Sequence, residues 1–232
     1  MIPPRDAARS ADLRVMMPQF ALPGEARLPV RDLPFVHRFH VPEDADGSVL
    51  VLLHGSGGNE ADLMPFAHRV SPRATLLGVR GRATEEGVFR WFRRLGEGAF
   101  DQGDIRSEAE AFEAFVDRAV AGYGLDRARL GFLGYSNGAN FLAAVLRLCP
   151  GVVRRALLLR PSEVLEEAPA ADLTGTDILM VSGTADPLGA DPAGLQQALE
   201  AAGAAVEAHG IAAGHELGAE DEALARAWLM RG

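Results

Sequence analysis

Leu130-Gly131-Phe132-Leu133-Gly134-Tyr135-Ser136-Asn137-Gly138 is the stretch on which the fold of this chain turns. Residues 130–134 are a short apolar run and read as a buried strand, and helical periodicity sets in at Asn137 and runs to Leu148. Between them, residues 134–138 fit G-x-S-x-G, in the strand–turn–helix context that a nucleophile elbow requires. The two glycines let strand and helix meet at a sharp turn with the serine backbone strained. The side chain is then held above the sheet at a helix N-terminus, where developing negative charge is stabilised. The alternative is an ordinary turn with Ser136 as N-cap. All five residues and their context agree on the elbow.

Outward from this point the chain alternates strand and helix. Short apolar runs at 48–53, 75–79, 130–134, 155–159 and 178–182 read as strands, with 35–41 before them and a weaker 204–209 after. The turn at 44–47 predicts a hairpin between 35–41 and 48–53. Helical periodicity appears at 59–69, 105–121, 137–148, 193–202 and 216–230, with Asp104 as candidate N-cap of the second and Asp191 of the fourth. The pattern predicts an α/β fold, a mostly parallel sheet of about seven strands flanked by helices, with function at the carboxyl ends of the strands.

A serine hydroxyl is a weak nucleophile at neutral pH and needs a base and an orienting carboxylate. With an elbow of this kind the chain order is Ser, then Asp or Glu, then His. After Ser136 only His209 and His215 remain. His215 lies in a loop after the last strand, at the correct end of the sheet, whereas His209 falls in or at the end of that strand and reads as structural. Asp186 follows the strand 178–182 in a loop and is the candidate acid. Its rival Asp191 precedes Pro192 and reads better as a helix cap. Asp172 and Asp177 lie at the wrong end. One oxyanion donor is the N–H of Asn137, after the nucleophile, and the other belongs to the loop His54-Gly55-Ser56-Gly57-Gly58. His54 is expected to pin that loop by hydrogen bonding rather than act as a base.

The 232 residues argue for one catalytic domain, 35–232, preceded by a proline-rich arm at 1–34. The single cysteine, Cys149, cannot form an internal disulfide and reads as buried filler. A formal net charge of −9 argues against a nucleic-acid surface. Residues 1–14 lack the apolar core of a signal segment, and no apolar run is long enough to span a bilayer, so a cytoplasmic protein without an integral membrane segment is expected. The acidic residues Asp101, Asp104, Glu108 and Glu110 lack an EF-hand spacing and are better explained as a helix start.

Four stretches together resemble the carboxylesterase/phospholipase/acyl-thioesterase group of small α/β-hydrolases. They are Leu52-Leu53-His54-Gly55-Ser56-Gly57-Gly58-Asn59-Glu60, the loop with Arg80-Gly81 and Arg90-Trp91-Phe92-Arg93-Arg94, the elbow, and Gly183-Thr184-Ala185-Asp186-Pro187 with Gly214-His215. Within that group the resemblance is to the bacterial branch that includes hydrolases linked to hydroquinone resistance, and it spans about residues 48–220. It implies an α/β-hydrolase fold without a large lid domain and esterase activity without a metal or organic cofactor. It also implies Ser56 as the first oxyanion donor.

Residues 80–103 form a long loop with Phe89, Trp91, Phe92 and Phe100 among arginines, and these rings are read either as a pocket wall or as a satellite core. Trp91, Phe92 and Leu188 are the expected pocket residues. The reading is therefore a serine hydrolase cleaving carboxylic or thio-esters of small, short-chain or aryl substrates through an acyl-enzyme. The alternatives are a ligand-binding protein of the same fold with little turnover, a lactone hydrolase or a peptidase. The expected partner is a small-molecule ester, and a homodimer is left open.

Overall fold

The computed structural model describes residues 33–96, 98–188 and 192–231. The arm expected at 1–34 lies, except for its last two residues, outside the described residues, as does Asp191.

Val49–Leu53 (β2) shows how the sheet is assembled. All five of its residues are buried, which requires cover on both faces. Val49, Val51 and Leu53 face one core, with Phe112 and Phe115 of Gln102–Tyr123 (α2), Phe141 of Asn137–Leu148 (α3), and Leu195 and Leu199 of Pro192–Ala201 (α4). Leu50 and Leu52 face the other core, with Met64 and Phe66 of Met64–Val70 (α1) and Ala225 and Trp228 of Ala219–Leu229 (α5). The period-two alternation of one strand thus divides the molecule into two apolar layers on a single sheet.

Among the described residues the sheet has seven strands. His37–His40 (β1) is at one edge, followed by Thr75–Val79 (β3), β2, Leu130–Tyr135 (β8), Arg155–Leu159 (β9), Asp177–Gly183 (β10) and Ala205–Ile211 (β11). All neighbours are parallel except β1, which runs antiparallel to β3. The expected hairpin between β1 and β2 does not form, because β3 lies between them. The physical reason is that β2 is apolar throughout and takes a central place, while His37-Arg38-Phe39-His40 carries polar side chains suited to an edge. The short pairs Ala83–Glu85 (β4) with Val88–Arg90 (β5), and Arg94–Gly96 (β6) with Ala99–Phe100 (β7), stand apart from the main sheet.

Helix boundaries differ from the sequence reading where a polar side chain captures a backbone N–H. α2 begins at Gln102, with Asp101 and not Asp104 as its N-cap: the Asp101 carboxylate accepts the N–H of Asp104 at 3.0 Å. Asp104 sits in the first turn and accepts the N–H of Arg93 at 2.8 Å. α1 starts only at Met64, because residues 59–63 are occupied by turns, one of them closed by Asn59 Oδ1 accepting the N–H of Ala61. α5 starts at Ala219, since the Gly218 N–H is held by the Asp221 carboxylate at 2.9 Å. Among the described residues no helix is long and apolar enough to cross a membrane.

β2 has β3 on one side and β8 on the other, so successive connections leave in opposite directions and a crevice opens at the carboxyl ends of β2 and β8. The loop after β2 and the elbow after β8 are therefore neighbours.

Candidate active site

Ser136 links β8 to α3 with φ 52° and ψ −119°, a conformation rarely adopted by a residue with a side chain. Close packing holds it there. A Cβ on Gly134 would come 2.7 Å from the Cα of Ala139, and one on Gly138 would collide with the carbonyls of Leu53 and His54. The two glycines of the motif thus permit the helix to turn back on its own strand and to press against the end of β2. The Ser136 N–H is tied to Leu159 O in β9 at 2.9 Å.

Three side chains from three strand ends converge at this point. The Ser136 hydroxyl lies 2.9 Å from His215 Nε2, and His215 Nδ1 lies 2.8 Å from Asp186 Oδ2. An ionised carboxylate only accepts, so Nδ1 carries the proton and Nε2 presents a lone pair to the hydroxyl. The Asp186 side chain is almost inaccessible to solvent. Burial alone would raise its carboxyl, but hydrogen bonds from His215 and the Leu188 N–H, with the charge of Arg160 behind them, hold it below the ordinary value. The turn carrying it is bonded to the His loop through Thr184 N–H to Ile211 O and Ala185 N–H to Ala213 O. His209, by contrast, lies inside β11 and pairs with Glu207, away from Ser136.

Asn137 is the first residue of α3, so its N–H has no carbonyl within the helix. Its side chain accepts the N–H of Trp91 at 2.9 Å. The 54–58 turn is fixed from several sides. His54 Nδ1–H donates to Gly55 O at 2.7 Å, while Nε2 accepts the Gly81 N–H at 3.0 Å. Gly57 N–H donates to Phe89 O, and Arg90 donates to the Ser56 hydroxyl at 2.6 Å. Burial pushes the His54 ring below its ordinary value, consistent with a neutral ring that both donates and accepts. It has the pinning position read from the sequence.

This geometry can be set beside known proteins. A Bacillus subtilis (strain 168) protein named as a hydrolase, MhqD, is 36% identical over 183 residues, covering 78% of this chain and 92% of its own. A Mesorhizobium loti carboxylesterase structure superposes with a TM-score of 0.84 at 42% identity, over 88% of this chain and 98% of that one. A Bacillus cereus carboxylesterase does so with a TM-score of 0.82 at 36% identity, over 86% and 95%. The chain belongs to the MhqD branch of the α/β-hydrolase carboxylesterases. It is a carboxylesterase-like hydrolase, as the resemblance implied. No protein-family model matches it.

In this carboxylesterase-like chain Trp91 and Phe92 do not line an open pocket as expected. Trp91 and Phe92 are fully buried. The indole stacks on Phe141 with centroids 5.1 Å apart, meets Phe112 edge-on, and donates its N–H to His54 O at 2.9 Å. Phe92 packs edge-on against Phe100. Both rings support the site from behind, because α2 and α3 offer them an apolar layer that solvent cannot. The acidic residues at the start of α2 are likewise occupied: Arg93 pairs with Asp101 and Asp104, and Arg82 with Glu108. Leu188 is exposed on the turn that carries Asp186. Cys149 is buried, and burial with nearby Glu113 pushes its thiol up to about 12, far from a reactive thiolate.

An open cavity of about 510 Å³ lies beside the elbow, lined by Ser56, Tyr135, Leu217, Leu63 and the α1 residues Phe66 and Arg69. Apart from Ser56, these residues and the buried Arg160 escaped the sequence reading. A pocket composed of two segments brought together by the sheet has no local signature, and the partner of Arg160 lies 61 residues away along the chain.

Proposed function

We propose that Ser136, His215 and Asp186 hydrolyse carboxylic or thio-esters through an acyl-enzyme. His215 Nε2 takes the hydroxyl proton as Ser136 Oγ bonds to the substrate carbonyl carbon. Asp186 keeps the proton on Nδ1 and stabilises the imidazolium. The carbonyl oxygen becomes an oxyanion facing the N–H groups of Asn137 and Ser56. As the carbon–oxygen or carbon–sulfur bond breaks, Nε2 returns its proton to the leaving alcohol or thiol. Water then repeats the sequence, releasing the acid and restoring Ser136. The observation that carries this reading is the continuous relay of 2.9 and 2.8 Å from hydroxyl to imidazole to carboxylate, starting from a strained serine.

Small acyl or aryl esters are the proposed substrates. A cavity of about 510 Å³, open to solvent and lined by the 55–58 turn, Tyr135, Leu217 and α1, accommodates a compact group. The one cysteine, unpaired and buried, supports a cytoplasmic setting. The test is a panel of p-nitrophenyl esters from acetyl to palmitoyl. The expected kcat/KM is highest for short acyl chains and falls with length. A maximum at palmitoyl would overturn the small-substrate reading. Binding of esters without turnover would overturn the catalytic one.

A further inference from the structure

The loop that delivers His215 has almost no backbone support of its own. Residues 214–217 make no backbone–backbone hydrogen bond among the described residues. Their carbonyls are nonetheless occupied. Gly214 O accepts from Arg160 Nε at 2.8 Å, Glu216 O from Arg160 Nη2 at 3.1 Å, and His215 O from the Tyr135 hydroxyl at 3.1 Å. The carbonyls before, at and after the histidine are thus all held by side chains.

Arg160 is built for this position. It follows β9 with φ 55°, in the left-handed region, and its N–H is bound to Val181 O at 2.8 Å. Its guanidinium is completely buried. Nη1 and Nη2 meet the two oxygens of Asp221, also completely buried, at 2.7 and 3.0 Å, and Nη1 also points to Val181 O at 3.4 Å. The planar fork thus spends two N–H groups on a carboxylate in α5, one on the end of β10, and two on the carbonyls flanking His215. A point charge could satisfy Asp221 but could not address both carbonyls at once.

We propose that Arg160, anchored by Asp221 and assisted by Tyr135, is a positioning residue that sets where the His215 imidazole stands relative to Ser136. The inference rests on the hydrolase reading above. It accounts for a buried ion pair whose desolvation offsets much of its own attraction. Its value is geometric: the pair converts a loop without backbone bonds into a rigid mount.

The test separates position from folding. The double variant Arg160→Met with Asp221→Leu removes the clamp without leaving an unpaired buried charge. Folding is monitored by near-ultraviolet circular dichroism and urea unfolding, and kcat and KM are taken on a short p-nitrophenyl ester. A misplaced base is expected to lower kcat by about 100-fold with KM little changed. Arg160→Lys keeps the charge opposite Asp221, preserving folding if the double variant does not fold, and is expected to lower kcat by at least about 10-fold because the fork is lost. A purely structural role would move the unfolding midpoint and leave kcat per folded molecule unchanged. That outcome in either folded variant overturns the proposal. Ser136→Ala is measured alongside: if it is inactive while the folded clamp variants keep wild-type kcat, the clamp fails and the hydrolase reading stands. If wild type hydrolyses no ester, the hydrolase reading is the one that fails.

Discussion

Ser136 is approached from two sides, and the two sides are held by different physics. The 54–58 turn rests on Trp91, whose ring is packed among Phe35, Phe112 and Phe141 and whose N–H grips His54 O. The carbonyls of residues 214–216 rest on one guanidinium and one phenol. Aromatic burial is strong and tolerant in direction, so it suits a turn proposed to present backbone N–H groups. A forked ion pair is weaker as a source of stability but strict in geometry, so it suits a side chain that must reach a hydroxyl at 2.9 Å. Damage to the first side should appear mainly in stability, and damage to the second mainly in turnover.

The largest effect belongs to the relay itself. Asp186→Asn leaves the shape intact but removes the charged acceptor that fixes the His215 tautomer, and kcat is expected to fall by about 10⁴-fold, as in other triads. Steady-state kinetics on a short ester check it, and a loss under about tenfold would remove Asp186 from the relay.

On the aromatic side, Trp91→Ala is expected to cost about 3–5 kcal/mol of stability by opening a cavity between β2 and α3. Urea unfolding measures this, and kcat per folded molecule should fall far less than in Asp186→Asn. A stable Trp91→Ala protein that had lost turnover would reverse the comparison.

The pH dependence of the same side has a definite sign. Unfolded His54 titrates near 6.5, and burial puts the folded ring lower. Above 6.5 both states are neutral and the contribution to stability is complete. As pH falls through 6.5 toward the folded value, the unfolded chain binds the proton first and the native state loses ground. The urea midpoint should therefore drop between about pH 7.5 and 5.5, and His54→Asn, which has no titrating ring, should drop less. Equal slopes would mean that the ring titrates freely.

The smallest effect is expected at the surface of the 80–103 loop. Arg82 and Glu108 make two 2.9 Å contacts, but the arginine is over a third exposed. Arg82→Ala should cost about 1 kcal/mol or less by thermal unfolding, against the much larger cost at Trp91.

What could be read from the sequence was what is local or ordered along the chain. The elbow was legible because five adjacent residues meet one steric demand, which Gly134 and Gly138 display in the structure. Ser136, Asp186 and His215 were legible from their order and their places after strands, and the structure brings their polar atoms together. What depends on distant pairing was not. β1 was assigned to β2 because they are adjacent in sequence, but hydrogen bonds to β3. The rings at 91 and 92 could have faced a ligand or a core, since an isolated loop aromatic does not reveal its orientation. The charge at 160 carried a signal, an arginine directly after the apolar run 156–159, but its partner Asp221 lies 61 residues on. Asp104 reads as the cap in the sequence, but the Asp101 carboxylate holds the Asp104 N–H and caps the helix instead.

Covalent labelling of the folded enzyme by a fluorophosphonate tests the central claim most directly. The reagent needs a nucleophile activated by the imidazole and an oxyanion site, and mass analysis of the peptides locates the adduct. The expected result is one adduct per chain, on Ser136, absent from Ser136→Ala and strongly slowed in His215→Ala. An adduct on another residue, or undiminished labelling of Ser136→Ala, would contradict the account.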